Sequence, residues 1–451
     1  MQLKFKRDLT SGSISKNLWY LAVPMMVTNA LQTLFNIVDM MFVGRLGPAP
    51  IAAVSVVGVF MMIPFSLILG LSIATGAMVS RYYGAKDYAN ASHVANQTII
   101  SAIIGGVFVT ILGVLSAPYL LDLFSVEANV HQLGTVYIRI IFFASIPLAL
   151  QFLTAAIFQA VGDATTAMWI NVVSVILNVI LDPLLIFGIG FFPRWEVAGA
   201  AWATSFARLI GMAVALYLLF HKQAHLKLKW EGLKPDGTII RRLLKIGIPS
   251  SLQMTLRSAS GIIMMGIVAH FGTFALAAYG VGIRIDMLVM MPGFGLAAAT
   301  ATLVGQNLGA HKPDRAVRSS WLAATYFFTI MTIAGVLFYI FAPHIFAVFN
   351  KTPGVIHNGT IYERTIVFSY PFLAVAIILN RALSGAGETV ITMIITGASL
   401  FGIAVPLAFA IPHFFSVGVR GVWISIAIST FAQAIIVAVI FLRGKWKAKK
   451  I

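Results

Sequence analysis

The sequence predicts an all-α integral membrane protein with twelve transmembrane helices, arranged as two six-helix bundles related by a pseudo-two-fold axis along the membrane normal. Three observations predict this fold class. Hydrophobic residues make up 59% of the 451 residues and charged residues 10%, and the mean hydropathy is +0.94, which excludes an ordinary soluble protein. Twelve apolar runs are each long enough to cross a bilayer at about 1.5 Å per residue. The second half of the chain also repeats features of the first.

The apolar runs are separated by short polar turns. In chain order, the predicted spans are residues 18–44, 50–79, 92–118, 132–157, 167–191, 197–220, 246–271, 275–304, 319–344, 361–383, 389–412 and 421–442. The longest connection joins the sixth span to the seventh, so no separate extramembrane domain is expected. The predicted organisation is an N-terminal six-helix bundle at 1–221, a cytoplasmic linker at 222–245 and a C-terminal six-helix bundle at 246–451.

An internal repeat relates the two halves by a shift of 225 residues. The shift matches small residues and a proline, namely Pro24 with Pro249, Gly47 with Gly272, Ala52-Ala53 with Ala277-Ala278, Gly84-Ala85 with Gly309-Ala310, and Gly162-Asp163 with Gly387-Glu388. Each half has an even number of spans, so both halves cross the membrane in the same orientation. Two such bundles around a central cavity suit alternating access.

The basic residues are distributed asymmetrically along the chain. With both termini placed in the cytoplasm, 21 of the 31 Lys and Arg residues fall in inside segments and five in outside loops. This positive-inside pattern predicts a multi-pass protein of the cell membrane with cytoplasmic termini, and it accounts for the net charge of +17 without nucleic acid. The chain has no cysteine, which excludes disulfides and thiolate metal sites.

The first span carries a polar stripe. Pro24, Thr28, Gln32, Asn36 and Asp39 fall within one sector of a helix at 100° per residue. A carboxylate inside a span costs about 2.5–3.5 kcal/mol, so Asp39 should face protein or a water-filled cavity. We interpret the stripe as the wall of a transport pathway, with Gln32 and Asn36 in the substrate cavity. Pro24 lacks a backbone N–H and predicts a kink, either a hinge or a passive packing feature.

The fifth span carries a second stripe, formed by Asn171, Ser174, Asn178 and Asp182. Asp39 and Asp182 are about 8 and 14 Å from the outer ends of their spans, close enough in depth to share a cavity. The alternative is that each accepts structural hydrogen bonds between helices. Desolvation and a neighbouring acid both favour a protonated carboxyl, so the pair is predicted to hold a proton for which an organic cation competes.

Other charged residues in or beside the spans receive structural interpretations. We prefer an ion pair between Asp286 and Arg257 to a transport role, since Arg284 lies on a different helix face from Asp286. Asp163 and Glu388 stand at the cytoplasmic starts of spans five and eleven, where a carboxylate favours the helix dipole, and both are predicted to cap these helices.

Several segments resemble the multidrug and toxic compound extrusion (MATE) transporters: PMMVTNALQTLFNIVDMMFVGRLG, ILNVILDPLLIFG, and the turns VGDA and GAGE. The resemblance covers essentially the whole chain. It implies an antiporter, not an enzyme, that exports organic cations and amphipathic drugs against a proton or sodium gradient. It also implies a site in the first half, made of Pro24, Gln32, Asp39, Tyr137, Asn178, Asp182 and Thr204.

The resemblance has one departure. The NorM-like branch carries a glutamate in span seven and an aspartate in span ten, whereas Arg257 stands at the span-seven position here. The repeat places Met264 opposite Asp39 and Leu407 near Asp182, and Glu363 is predicted at the outer edge of span ten. The second half is therefore expected to lack the ion site, as in the DinF-like branch.

Two rival functions are weighed. A flippase for a lipid-linked saccharide of the same superfamily would use a cationic cavity, for which Arg257 and Arg284 are candidates. A passive channel would need polar-lined spans in both halves, which the apolar second half disfavours. We expect a monomer in the lipid bilayer that takes small organic cations or amphipathic drugs, needs no cofactor or metal, and couples to protons rather than sodium.

Overall fold

In a computed structural model of the chain, residues 8–124, 126–190, 192–221, 226, 228 and 234–449 are described. These residues are helical apart from short connections, and part of the predicted linker at 222–245 lies outside them. The α-helices of the described residues are α1 (Ile14–Gly44), α2 (Pro48–Gly84), α3 (Tyr88–Asp122), α4 (Ala128–Phe143), α5 (Ser145–Ala160), α6 (Ala164–Phe187), α7 (Glu196–His221), α8 (Gly237–Ala269), α9 (Thr273–Gly309), α10 (Pro313–Phe349), α11 (Pro353–Ile366), α12 (Tyr370–Gly385), α13 (Thr389–Gly397), α14 (Val405–Phe415) and α15 (Arg420–Leu442).

The twelve predicted spans are confirmed. Within the described residues, eleven helical segments are long and apolar enough to cross a membrane, and the pair α4 and α5 makes a twelfth span with a 45° bend. A 3₁₀ turn at Val367–Ser369 joins α11 to α12 in one span, and a π-helical segment at Ala398–Ala404 joins α13 to α14 in another. The chain is therefore an all-helical, multi-span membrane protein.

The bend between α4 and α5 has a local cause. Pro147 has no backbone N–H, so it cannot donate to the carbonyl of Phe143 four residues earlier. The preceding carbonyl, that of Phe142, accepts instead from the Thr110 hydroxyl on α3 at 2.9 Å. A proline together with a side chain that binds a helical carbonyl is a recognised cause of a sharp kink.

The chain forms two compact units. The first contains Val27–Ile248, and the second contains Leu9–Met26 together with the chain from Pro249 onward. These boundaries differ from the predicted ones at 221 and 246, because the beginning of α1 belongs to the second unit and the beginning of α8 to the first. Both changes of unit fall within three residues of the repeat-related prolines, Pro24 and Pro249.

The start of α1 is held in the second unit by polar contacts that hydropathy does not reveal. Asn17 is fully buried, and its Nδ2 donates to the carbonyl oxygens of Leu9 and Ser11 at 3.3 and 2.9 Å. Arg315 Nη2, near the start of α10, donates to the same Ser11 carbonyl at 2.7 Å. The segment before α1 is thus fixed by hydrogen bonds to its own helix and to α10.

The start of α8 is held in the first unit in a comparable way. Gln97 on α3 is buried; its Nε2 donates to the Lys234 carbonyl at 2.8 Å and its Oε1 accepts from the Asp236 amide at 2.9 Å. Asp236 Oδ2 lies 2.8 Å from His93 Nε2, and Asp236 Oδ1 accepts from the amide of Thr238 at 2.9 Å. One aspartate therefore caps α8 and ties it to α3.

We expect Asp236→Ala to expose the first amides of α8 to exchange. The hydrogen bond with His93 is the main cause that lowers the pKa of Asp236, and the Thr238 amide adds to it. Because the pKa of Asp236 is lower in the folded than in the unfolded chain, the ionised carboxylate stabilises the start of α8. This stabilisation is complete above the unfolded pKa of about 3.9 and is lost as the pH falls through the folded pKa. Hydrogen exchange at Thr238 and Ile239 should show protection that persists below pH 4 in the native chain.

The matched control is Asp236→Asn, whose amide oxygen can still cap the helix. It should keep most of the protection near neutral pH. Equal exchange rates in the native chain and in Asp236→Ala would show that the cap does not hold α8.

The two predicted capping acids behave differently. Asp163 Oδ1 accepts from the Thr166 amide at 3.2 Å and caps α6, as predicted. The prediction for Glu388 is wrong, because its side chain makes no cap hydrogen bond to α13. Glu388 Oε2 instead accepts from Lys449 Nζ at 3.3 Å, so this glutamate binds the C-terminal segment.

Candidate cation-coupling site

A buried polar group of the first unit lies between α6 and α7. Asn178 and Asp182 are fully buried and Thr204 nearly so. Asn178 Nδ2 donates to Asp182 Oδ1 at 3.0 Å, and its 3.4 Å distance to Thr204 Oγ1 is a longer contact. The spacing of four residues on α6 places Asn178 and Asp182 on one face, one turn apart. The second oxygen of Asp182, Oδ2, is buried without a hydrogen-bond partner in the described residues.

The other half of the α6 stripe is structural. Ser174 Oγ accepts from Gln151 Nε2 on α5 at 2.8 Å, and Asn171 Nδ2 donates to the Ala167 carbonyl of its own helix at 2.9 Å. The predicted stripe is therefore divided: Ser174 joins α6 to α5, Asn171 bonds to its own helix, and the last two residues belong to the candidate site. Gln151 was not singled out in the sequence, since one glutamine on an apolar helix carries no local signal.

The contact between Ser174 and Gln151 requires a glycine on the neighbouring α7. A Cβ at Gly211 would lie 2.1 Å from Ser174 Oγ and 2.8 Å from Gln151 Nε2. We expect Gly211→Ala to lower the unfolding free energy by about 1–3 kcal/mol, as overpacking typically does. A thermal-unfolding measurement in detergent tests this, with Gly105→Ala on α3 as the control, because nothing lies within 4 Å of a Cβ there. Equal transition temperatures for the two variants would contradict it.

Asp39 joins the same electrostatic group from α1. The charge of Asp39 interacts with the charges of Asp182 and Arg208. Each of these three residues also interacts electrostatically with the Tyr137 hydroxyl. Asp39 Oδ1 is buried and has no hydrogen-bond partner among the described residues. Tyr137, on α4, is 7% exposed. The structure therefore brings together Asp39, Asp182 and Tyr137, which the family resemblance had assigned to one site.

Arg208 is the residue that sequence reasoning missed. It lies on α7, one turn beyond Thr204, and its guanidinium carbon is 5.7 Å from the centre of the Phe35 ring on α1. No motif in the sequence marks Arg208. Its spacing of four residues from Thr204 was an available signal, since it predicts a shared helix face.

Two of the remaining predicted site residues on α1, Gln32 and Asn36, make no side-chain hydrogen bond to this group in the described residues. Gln32 is half-buried and Asn36 is exposed. Pro24 lies inside α1, and the helix continues through it from Ile14 to Gly44. The substrate-cavity assignment of Gln32 and Asn36 and the hinge assignment of Pro24 stay predictions.

The second unit contains its own buried acid group, at positions other than Arg257, Met264 and Leu407, where the sequence analysis expected an ion site to be missing. Tyr362 and Tyr370 each place a hydroxyl 2.5 Å from one oxygen of Asp286. The Tyr370 hydroxyl also lies 2.8 Å from Glu363 Oε1. The predicted ion pair between Asp286 and Arg257 is therefore wrong, since both oxygens of Asp286 face tyrosines.

Glu363 is fully buried, and it lies inside a span that runs Pro353–Gly385, not at the edge of that span as predicted. The error came from its position in α11, near the end of an apolar run and beside the exposed Arg364. The repeat contained a usable signal, because the 225-residue shift carries Tyr137 of the first half to Tyr362 of the second. Around this tyrosine, Trp423 on α15 is fully buried and stacks on Tyr279 with a centroid distance of 5.2 Å.

Comparison with known proteins agrees with this architecture. The MatE family model matches residues 24–184 and 249–410, two segments that begin 225 residues apart and together cover most of the chain. The chain belongs to the MatE family. Members of this family are transporters and not enzymes, so the resemblance noted in the sequence is confirmed.

Three proteins show what this chain is similar to in sequence and in structure. A probable multidrug resistance protein NorM of Thermotoga maritima is 27% identical over 442 residues, which cover 97% of this chain and 94% of the relative. A protein named FAD transporter of Shewanella oneidensis is 25% identical, over 96% and 95% of the two chains. A crystal structure of MATE in the bent conformation superposes with a TM-score of 0.91 and 27% identity, over 99% and 98%.

Proposed function

We propose that the protein is a secondary active multidrug efflux antiporter that exports organic cations and amphipathic drugs in exchange for protons, by alternating access. The observation that carries this proposal is the charge balance of the first-unit group. The carboxyl group of Asp39 interacts with a second carboxyl group, that of Asp182, and with one guanidinium, that of Arg208. When all three are ionised, the group carries one uncompensated negative charge.

One negative charge in a low-dielectric site is balanced by one monovalent cation. A proton on either carboxyl group balances it, and so does the positive charge of an organic cation. Because the two cannot both be accommodated without leaving a surplus positive charge, each lowers the affinity for the other. Mutual exclusion at one site, with access alternating between the two sides, is sufficient for antiport.

Two buried carboxyl oxygens are the proposed proton-binding atoms of this site. Asp182 Oδ2 and Asp39 Oδ1 have no hydrogen-bond donor among the described residues, and a buried oxygen of an ionised carboxylate that lacks a donor is costly. Protonation of one acid relieves this cost, whereas a selective sodium site needs several oxygen ligands around one ion. This favours the proton over sodium as the coupling ion.

Four further assignments belong to the proposal. The protein is placed in the cell membrane with both termini in the cytoplasm, on the evidence of the positive-inside pattern. It is proposed to act as a monomer, since each half supplies its own polar group. Its relative from Thermotoga maritima is named a probable multidrug resistance protein, which supports drug-like substrates.

Transport in proteoliposomes tests the coupling ion. A fluorescent organic cation should move when a pH gradient is imposed at zero sodium, and should not move when a sodium gradient is imposed at equal pH. Transport driven by the sodium gradient alone and abolished by Asp182→Asn would reverse the assignment. The control is protein-free liposomes under the same gradients, which measure passive leak.

An anionic substrate is the second candidate, favoured by two arginines of the second unit. The charges of Arg257 on α8 and Arg381 on α12 interact with each other. Neither is within ion-pair distance of a carboxylate in the described part of the chain. One relative is named FAD transporter, and a flippase for a lipid-linked saccharide would also carry a phosphate-bearing substrate. Loss of FAD transport in Arg257→Gln and Arg381→Gln, with cation export unchanged, would favour this candidate.

A further inference from the structure

A single tyrosine hydroxyl joins the two acids of the second unit. Tyr370 Oη lies 2.5 Å from Asp286 Oδ1 and 2.8 Å from Glu363 Oε1. Tyr362 Oη lies 2.5 Å from the other oxygen of Asp286. Three hydrogen-bond contacts therefore connect two tyrosines and two carboxyl groups that come from α9, α11 and α12.

Counting protons shows that one of the two carboxyl groups is protonated. A tyrosine hydroxyl has one proton to donate, and an ionised carboxylate can only accept. The two hydroxyls supply two protons, which serve the contacts of Asp286 with Tyr362 and Tyr370. The contact between Tyr370 and Glu363 then needs a third proton, which one of the two carboxyl groups must carry.

The surroundings explain why this proton is on Glu363. Glu363 is fully buried, and its Oε2 has no hydrogen-bond partner in the described residues. An ionised carboxylate there would be a buried charge without a donor on Oε2, which costs several kcal/mol. Asp286 is only half-buried and has two hydroxyl donors, so it is the acid better able to remain ionised.

Titratable neighbours of the group are few. Facing it are Tyr279 from α9 and Tyr362 from α11, and the neighbouring α15 contributes the neutral Trp423. On α10, Gly335 approaches Tyr370. Arg364 follows Glu363 in sequence, but its Nε donates to the Tyr339 carbonyl. Among the described residues, no Lys, Arg or His forms an ion pair with Asp286 or Glu363.

We propose that the second unit contains a proton-binding site in which Glu363 carries one exchangeable proton that it shares with Asp286 through Tyr370. Release follows a balanced relay. Glu363 gives its proton to Tyr370 Oη as the Tyr370 hydroxyl proton passes to Asp286 Oδ1, which leaves Tyr370 neutral, Glu363 ionised and Asp286 protonated. The half-buried Asp286 then loses that proton to water, and the reverse sequence reloads the site.

This inference does not rest on the function proposed for the first unit. It rests on the hydrogen-bond geometry of Asp286, Tyr370 and Glu363, and it concerns a second proton at a second place. The 225-residue repeat supports it independently, since Tyr362 occupies the position of Tyr137, the tyrosine beside the acids of the first half.

Infrared difference spectroscopy on the purified full-length protein in detergent micelles tests the site. The native protein near neutral pH should show a carbonyl stretch of a protonated carboxylic acid that shifts in D₂O. Glu363→Gln should lose this band while remaining folded, because the amide can still donate to Tyr370. The matched control is Glu388→Gln, the other buried glutamate of this half, which binds Lys449 and should leave the band unchanged.

A second variant separates an exchangeable proton from a permanent one. In Tyr370→Phe the relay is broken, so the band should persist and its shift in D₂O should slow at least tenfold. A band unaffected by Glu363→Gln, or an equal exchange rate in Tyr370→Phe, would overturn the proposal. Asp182→Asn should retain the Glu363 band whether or not it loses transport. The infrared test of the second-unit site therefore gives an answer that is independent of the transport test of the first-unit site.

Discussion

Asp182→Asn is expected to abolish the coupling between the pH gradient and drug export. The substitution keeps the shape of the side chain and an oxygen that can accept from Asn178, so the contact between α6 and α7 should survive. It removes the charge for which a proton and an organic cation compete. Coupling free energies of about 1–3 kcal/mol correspond to a 5- to 150-fold effect, and we expect gradient-driven efflux to fall by that factor. Asp39→Asn should have an effect of the same kind.

Efflux of a fluorescent organic cation from proteoliposomes provides the measurement. The control is Asp163→Asn, a buried acid of the same half whose capping role an asparagine can retain. Efflux of both Asp39→Asn and Asp182→Asn at native rates would rule out the acid pair as the coupling site. A fall shared by Asp163→Asn would indicate a general loss of folding.

Arg208→Gln is expected to change which substrates are exported. Without the guanidinium, the group of Asp39 and Asp182 carries two negative charges when ionised, so one bound monovalent cation no longer balances it. Efflux of a monocationic dye at neutral pH should fall by about tenfold, the effect of 1.4 kcal/mol. Dicationic substrates should be affected less, so the ratio of dication to monocation export should rise.

Competition between a monocationic and a dicationic dye in the same proteoliposomes measures this ratio directly. Arg139→Gln is the control, because it removes an exposed arginine of the same half from a neighbouring helix. Arg208→Lys should retain most of the native ratio, since it keeps the charge. An unchanged ratio in Arg208→Gln would show that Arg208 does not contribute to the charge balance.

The sequence by itself determined the number and the limits of the spans. Apolar length is a local property, so each predicted run reappears as a helix or a bent pair of helices, to within about ten residues at each end. The repeat was also readable, since small residues at turns keep a constant offset. Spacings of three or four residues identified Asn178 and Asp182, because such pairs share a helix face whatever the helix packs against.

Only the tertiary structure decided which polar groups meet across helices. Arg208 approaches Asp39, Tyr370 joins Glu363 to Asp286, and the start of α1 packs in the second unit. In a soluble protein, an apolar face shows which side of a helix is buried. In a bilayer, lipid and protein interior are equally apolar, so hydropathy does not reveal how a helix is rotated or which helix it contacts. The rotation of each helix decides which residues Arg208 and Glu363 contact, and packing between the helices determines that rotation.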